Sequence, residues 1–243
     1  MKKWMIAAVL VSLAVSAQAA EKIRFATSAT YPPFESLNSD NQIVGFDIDL
    51  AKALCQQMKA ECSFTNTAFD SLIPSLKFRR YDAVIAGMDI TAERSKQVDF
   101  TQPYYANSAI VIAPKGKFSA ISDLNGKRVG VENGTTHQKY LQDKHPDIKV
   151  VAYDSYQNAI LDMKSGRLDG VFGDSAVVNQ WLKTNSDLAS VGEHVTDADY
   201  FGAGLGIAVR KGNDGLREKL NQALAALKAN GTWQKINQQW FPE

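Results

Sequence analysis

Short β-type runs alternate with helical patterns along this chain, and the alternation is made twice, which restricts the fold more than any other feature. The first series reads as extended at residues 23–27, helical at 46–58, extended at 62–67, helical at 72–78, extended at 83–86 and helical at 93–97. The second reads as extended at 128–131, helical at 136–141, extended at 149–153, helical at 156–164, extended at 170–173 and helical at 175–182. Such alternation predicts an α/β fold with largely parallel sheets, built as two similar units. Two apolar runs, 109–113 ending at Pro114 and 205–209, suit strands that cross between the units, and 215–239 reads as a helix broken near Gly231.

A short internal echo supports the doubling. Residues 76–89 run from a helix end through Arg79, Arg80 and Asp82 into an apolar strand that delivers Gly87 and Asp89. Residues 163–174 run from a helix end through Lys164, Arg167 and Asp169 into an apolar strand that delivers Gly173 and Asp174. Ligands of open α/β sheets bind beyond the carboxyl ends of the strands, so these edges would face one another across a crevice.

Lys2 and Lys3, an apolar run over residues 4–15 and Ala17-Gln18-Ala19 follow the order of a secretory signal, which places residues 1–19 in a leader and the mature start at Ala20. No later segment approaches the ~20 apolar residues of a membrane span. Export exposes the chain to oxidising conditions, where Cys55 and Cys62 are expected to pair. Continuous helix would hold them ~10 Å apart, too far for a bridge, so the helix must end near Lys59 or Ala60.

Composition narrows the function. Of 243 residues, 45% are hydrophobic, enough for a sizeable core, and the net charge of +1 without long like-charge runs leaves no footprint for a nucleic acid. His137, His145 and His194 lack metal-ligand spacing, no nucleophile-elbow motif occurs, and Gly126-Lys127-Arg128 lacks the Ser or Thr of a phosphate loop. No metal, cofactor or nucleotide is therefore expected.

Some residues do fit ligand chemistry. Thr91 precedes a helix that carries Arg94, a planar donor fork suited to a carboxylate, although an arginine in a first helical turn is commonly a surface residue. Asn133-Gly134-Thr135-Thr136 opens another helix with anion-friendly amides and hydroxyls. Asp174 can accept from an ammonium group or cap the following helix. Tyr31-Pro32-Pro33-Phe34 fixes aromatic rings in a rigid turn.

Together, Tyr31-Pro32-Pro33-Phe34-Glu35, Gly45-Phe46-Asp47-Ile48-Asp49-Leu50-Ala51, Phe69-Asp70-Ser71-Leu72-Ile73-Pro74-Ser75-Leu76 and Gly134-Thr135-Thr136 resemble the polar amino-acid-binding proteins of bacterial ABC importers. The likeness covers nearly the whole mature chain and is nearest to the arginine-binding branch, with lysine/arginine/ornithine and histidine binders further away. It implies the two-lobe periplasmic binding protein fold of type II, with residues 20–107 and 205–243 in one lobe, 108–204 in the other, and two crossing strands as hinge. It also implies a monomer in the periplasm that captures arginine or a related basic amino acid and delivers it to an inner-membrane permease.

The ligand set implied is Ser28, Tyr31, Phe69, Ala86, Gly87, Met88, Asp89, Arg94, Thr135, Thr136, Gln138 and Asp174. In it Arg94 grips the α-carboxylate with amides near Asp89 and Thr136. Asp174 and the Gly87 carbonyl receive the α-ammonium, Tyr31 and Phe69 sandwich the side chain, and Ser28, Ala86 and Gln138 meet its polar tip. Two departures stand out: the lysine/arginine/ornithine binders carry aspartate where Ser28 stands and serine where Asp89 stands. Asp89 or Glu35 are the substitutes considered for the missing acid, and glutamine, histidine and ornithine remain alternative ligands. An enzyme on the same scaffold, such as a cyclohexadienyl dehydratase with Glu35 or Glu132 as its acid, is the competing class; binding without catalysis is the expectation.

Overall fold

The computed structural model describes residues 20–201 and 203–242, so the expected leader at 1–19 lies outside the described residues. The chain enters through β1 (Lys22–Thr27), then makes a small antiparallel meander of β2 (Thr30–Tyr31), β3 (Glu35–Leu37) and β4 (Ile43–Val44) before α1 (Phe46–Met58). β5 (Glu61–Asn66), α2 (Leu72–Lys77), β6 (Ala83–Val84), α3 (Ala92–Ser95) and β7 (Val98–Phe100) follow. The middle of the chain forms β8 (Ala109–Pro114), β9 (Arg128–Glu132), α4 (Thr136–Lys144), β10 (Lys149–Tyr153), α5 (Tyr156–Lys164), β11 (Gly170–Asp174), α6 (Ser175–Thr184) and β12 (Leu188–Val195). β13 (Ala208–Arg210), α7 (Asp214–Ala229) and α8 (Thr232–Trp240) make the return.

Each lobe holds one five-stranded sheet, ordered β5-β1-β6-β13-β7 in the first and β10-β9-β11-β8-β12 in the second. In each sheet four strands run in one direction and a single inserted strand, β13 in the first and β8 in the second, runs against them, so the sheets are largely parallel as expected. Those two reversed strands account for a correction: the apolar runs at 109–113 and 205–209 do not span the lobes. The first forms β8, inside the second sheet, and the second leads into β13, inside the first sheet. A strand flanked on both edges and covered on both faces must be apolar throughout, and that burial produced the signal. The actual crossings lie in the segments before these strands, where Leu205 donates its N–H to the Tyr105 carbonyl at 2.8 Å and Tyr104 donates to the Leu205 carbonyl at 2.9 Å.

Local chemistry sets several element ends. Gly45 opens α1 with φ of 141°, and a Cβ there would meet the Phe34 carbonyl oxygen at 2.1 Å, so only glycine fits. The helix stops at Met58, Lys59 turns left-handed, and Ala60 donates to the Cys55 carbonyl at 2.9 Å. That reversal brings Cys55 and Cys62 to a Cα separation of 6.2 Å, and they form the expected disulfide. α7 and α8 pack against α1 and against each other, and part at Gly231. The rings of Phe34, Phe46, Tyr105, Trp233 and Phe241 cluster beside the crossings, with centroids 5.1–6.4 Å apart.

Candidate functional site

Between the lobes lies a narrow cavity of about 10 Å³ lined by Ser28, Tyr31, Phe69, Gly87, Asp89, Thr135, Thr136 and Asp174 from the expected set, and by Glu35, Glu132, His137 and Tyr156 besides. Arg94 and Gln138 line the open cleft next to it, together with Thr135, Thr136 and Gly134. Ala86 and Met88 are not among the lining residues. Their side chains pack with Leu72, Leu76, Val84 and Val98 in the core of the first lobe, and the Met88 carbonyl accepts from Gly206 N–H at 3.0 Å. They flank Gly87 on a strand exit where neighbours face the core.

Arg94 is held from both lobes. Thr91 Oγ1 accepts from the Arg94 N–H at 3.2 Å, the cap expected from the sequence, and the guanidinium donates to the Asp89 carbonyl at 2.9 Å. Its other arm donates to the Gly134 carbonyl in the second lobe at 3.3 Å, and the group lies 5.4 Å from the Phe69 ring centre. A buried guanidinium with a free edge toward the cleft is a ready partner for a carboxylate. Thr135 begins α4 by accepting from Gln138 N–H at 3.3 Å, while Gln138 Oε1 accepts from Gly134 N–H at 2.8 Å.

Asp174 occupies the N-cap position of α6, yet its carboxylate makes no capping bond. The side chain turns into the cleft instead. Tyr31 hydroxyl donates to Asp174 Oδ2 at 2.8 Å and accepts from the Asp174 N–H at 2.9 Å. His137 Nε2 lies 3.1 Å from Asp174 Oδ1, which also accepts from Asn107. Asn107, in the first crossing, donates to Asp89 Oδ1 at 2.7 Å as well, and Thr136 donates to Asp89 Oδ2 at 2.6 Å. A single amide thus ties the acid of one lobe to the acid of the other.

The aromatic surroundings differ from the expected sandwich of Tyr31 and Phe69. Tyr31 stacks on Tyr156 of the second lobe at 4.9 Å, and Phe69 covers Arg94. Burial followed by the nearby Asp174 charge holds the Tyr31 phenol well above its ordinary range, so it acts as a neutral donor. Burial also raises Asp89 to about 6, with Asp174 adding to it, and raises Glu132 to about 8.

Beneath the floor, Asp47 accepts from Gly87 N–H and from Tyr104 hydroxyl, each at 2.8 Å. Burial raises Asp47 to about 6, and burial followed by the Asp47 charge pushes Glu35 well above the carboxylate range. Both causes favour the neutral form of Glu35, whose side chain lines the same cavity.

Sequence reasoning did not assign Asn107, His137 or Tyr156 to this site. Only tertiary packing brings them there, since Asn107 sits in a crossing and His137 and Tyr156 sit on buried helix starts. Glu132 carried a signal: it ends β9 as Ser28 follows β1, and the two strands hold the same place in their sheets.

A cleft that offers a guanidinium from one lobe and a carboxylate from the other is suited to enclose a zwitterion, and likeness to known proteins agrees with that geometry. The chain is 69% identical over all 243 residues, and over the whole of the relative, to ABC transporter arginine-binding protein 1 of Escherichia coli K12. A solved Salmonella typhimurium periplasmic binding protein of high arginine specificity superposes with a TM-score of 0.88 at 56% identity, covering 91% of this chain and 100% of that one. An ancestral arginine-binding protein solved with glutamine bound gives 0.84 at 40% identity, covering 93% and 100%. These are binding proteins, not enzymes. With residues 23–243 matching the family model as well, the chain belongs to the bacterial extracellular solute-binding proteins, family 3.

Proposed function

We propose that this protein captures L-arginine in the periplasm as a monomer and hands it to the permease of an ABC importer. The observation that carries the reading is the pairing of Arg94 with Asp174 across a closed cleft, each polar group matching one end of an α-amino acid. In this reading Arg94 receives the α-carboxylate beside Thr136, and Asp174 receives the α-ammonium in place of the Tyr31 hydroxyl. The E. coli and Salmonella relatives support arginine as the side chain.

Closure follows from contact with both lobes. A ligand that touches Arg94 and Asp174 together has more affinity for the closed state than for an open one and shifts the population toward it. The hinge is then the pair of crossings joined at Tyr105 and Leu205, with lobe limits near 107/108 and 204/205.

Isothermal titration of ligand-stripped protein with arginine, lysine, ornithine, histidine and glutamine tests the assignment. Arginine should bind most tightly. Heat from none of them would overturn the binding function, and tighter binding of glutamine would overturn the choice of ligand.

A further inference from the structure

A basic amino acid carries three ionic groups, and the proposed function accounts for only two of them. Four carboxyl side chains line the cavity: Glu35, Asp89, Glu132 and Asp174. Asp174 is assigned to the ammonium. Asp89 is held by Thr136 and Asn107 at 2.6 and 2.7 Å, and its own carbonyl carries Arg94, so it belongs to the carboxylate end. Glu35 is wholly buried against Asp47, whose charge opposes ionisation of a second carboxyl there.

Glu132 is left with one long hydrogen bond, from Thr30 Oγ1 at 3.4 Å, and makes no ion pair among the described residues. That bond crosses from the first lobe, and Ser28 Oγ lies 3.5 Å from the same Thr30 hydroxyl. Ser28, Thr30 and Glu132 therefore form one polar line across the cleft. A cationic tip reaching the uncharged Ser28 meets the Glu132 carboxyl on the opposite wall.

Resting on the arginine reading, we propose that Glu132 is the counter-charge of the ligand's side-chain cation, supplied by the second lobe in place of an acid at position 28. The surroundings give this role a measurable consequence. Besides Thr30, Glu132 is faced by Asp174 at the end of β11, Asp70 ahead of α2, Asp154 after β10 and Glu35 on β3, with His137 on α4 and the phenols of Tyr31 and Tyr156 in the same cavity. Burial and these acids raise its proton affinity, so the empty site holds a proton near neutral pH. When a guanidinium arrives, the carboxyl O–H bond breaks, the proton passes to solvent buffer, and the carboxylate accepts guanidinium N–H bonds. A neutral side chain of the same shape leaves that proton in place.

Titrations with L-arginine and its neutral isostere L-citrulline, at pH 7 in two buffers of different ionisation enthalpy, test the assignment. The unmodified protein should release about one proton per arginine and none per citrulline. Glu132→Gln should lower the preference for arginine over citrulline by roughly 10- to 100-fold, the range of a charge-assisted hydrogen bond, and abolish the proton release. Ser28→Asp added to Glu132→Gln should restore part of the preference, which separates lost charge from lost folding. An unchanged preference and unchanged proton release in a folded Glu132→Gln protein would overturn this role alone. Failure of the unmodified protein to bind arginine would overturn the function on which it rests.

Discussion

The turn and strand at residues 74–87 in the first lobe and those at 161–174 in the second share one hydrogen-bond scheme, yet they deliver different chemistry to the cleft. In both, a helix ends with the same bonds: Arg79 N–H to the Leu76 carbonyl and Arg80 N–H to Ser75, against Gly166 to Met163 and Arg167 to Asp162. In both, an aspartate then trades bonds with an arginine on the neighbouring strand. Asp82 and Arg24 do so at 2.8 and 3.0 Å, and Asp169 and Arg128 do so at the same two distances. The strand register follows, with Ala83 beside Phe25 as Gly170 is beside Val129. Counted from those pairs, Asp174 stands where Gly87 stands, two residues before Asp89. The echo in the sequence matched Asp174 with Asp89; the sheet corrects this.

The difference assigns the lobes separate tasks. Gly87 has no side chain, and its N–H is tied to Asp47 beneath the floor. Asp174 sends a carboxylate into the cleft while its N–H goes to Tyr31. One strand end supplies a backbone surface and the other a charge, on a shared scaffold.

The largest effect should come from erasing that difference. Asp174→Asn removes the charge at the register of Gly87, and breaking one partner of a buried ionic contact costs about 2–5 kcal/mol. Arginine affinity measured by titration should fall at least ~30-fold; loss of less than ~3-fold would remove Asp174 from the ammonium role.

A second comparison concerns protons. Burial raises Asp47 and Asp89 of the first lobe to about 6 and Glu132 of the second to about 8. A raised folded-state value means that the native chain keeps protons which the unfolded chain has released, so stability is full at low pH and lost on the way up. Ligand-free protein should therefore lose unfolding free energy between about pH 4 and 6 through the aspartates, and from about pH 4.5 to 8 through Glu132. Denaturant titrations at a series of pH values check this. Asp47→Asn should flatten the lower part of the profile and Glu132→Gln the upper, and a profile that rises from pH 5 to 8 would contradict both.

The smallest effect lies in the turns. Arg79 adopts φ of 60° where its counterpart Gly166 adopts 77°, and a left-handed conformation costs a non-glycine residue about 1–2 kcal/mol. Arg79→Gly makes the turns alike and keeps the carbonyl that accepts from Arg24 at 3.1 Å. It should stabilise the protein by about 1 kcal/mol, read as a higher denaturation midpoint. A lower midpoint would mean that the Arg79 side chain contributes more than the strain it brings.

Much of this was legible beforehand where the cause is local. α1, β10 and α5 begin and end where the pattern placed them, because Gly45, Lys59 and Ser155 act on their nearest neighbours. The cap on Arg94 and the Cys55–Cys62 bridge follow from contacts within seven residues. The meander of β2, β3 and β4 was not legible, since strands of two or three residues carry no measurable period.

Interactions between near neighbours along the chain set the doubled α/β order, the ends of α1, β10 and α5, and the residue types available for a zwitterion. Tertiary structure alone decided which of those residues meet. Tyr31 reaches Asp174 across 143 positions, Thr30 reaches Glu132 across 102, and Asn107 joins Asp89 to Asp174 from the crossing. Such pairings depend on strand register and on how two lobes close, quantities that no local pattern encodes.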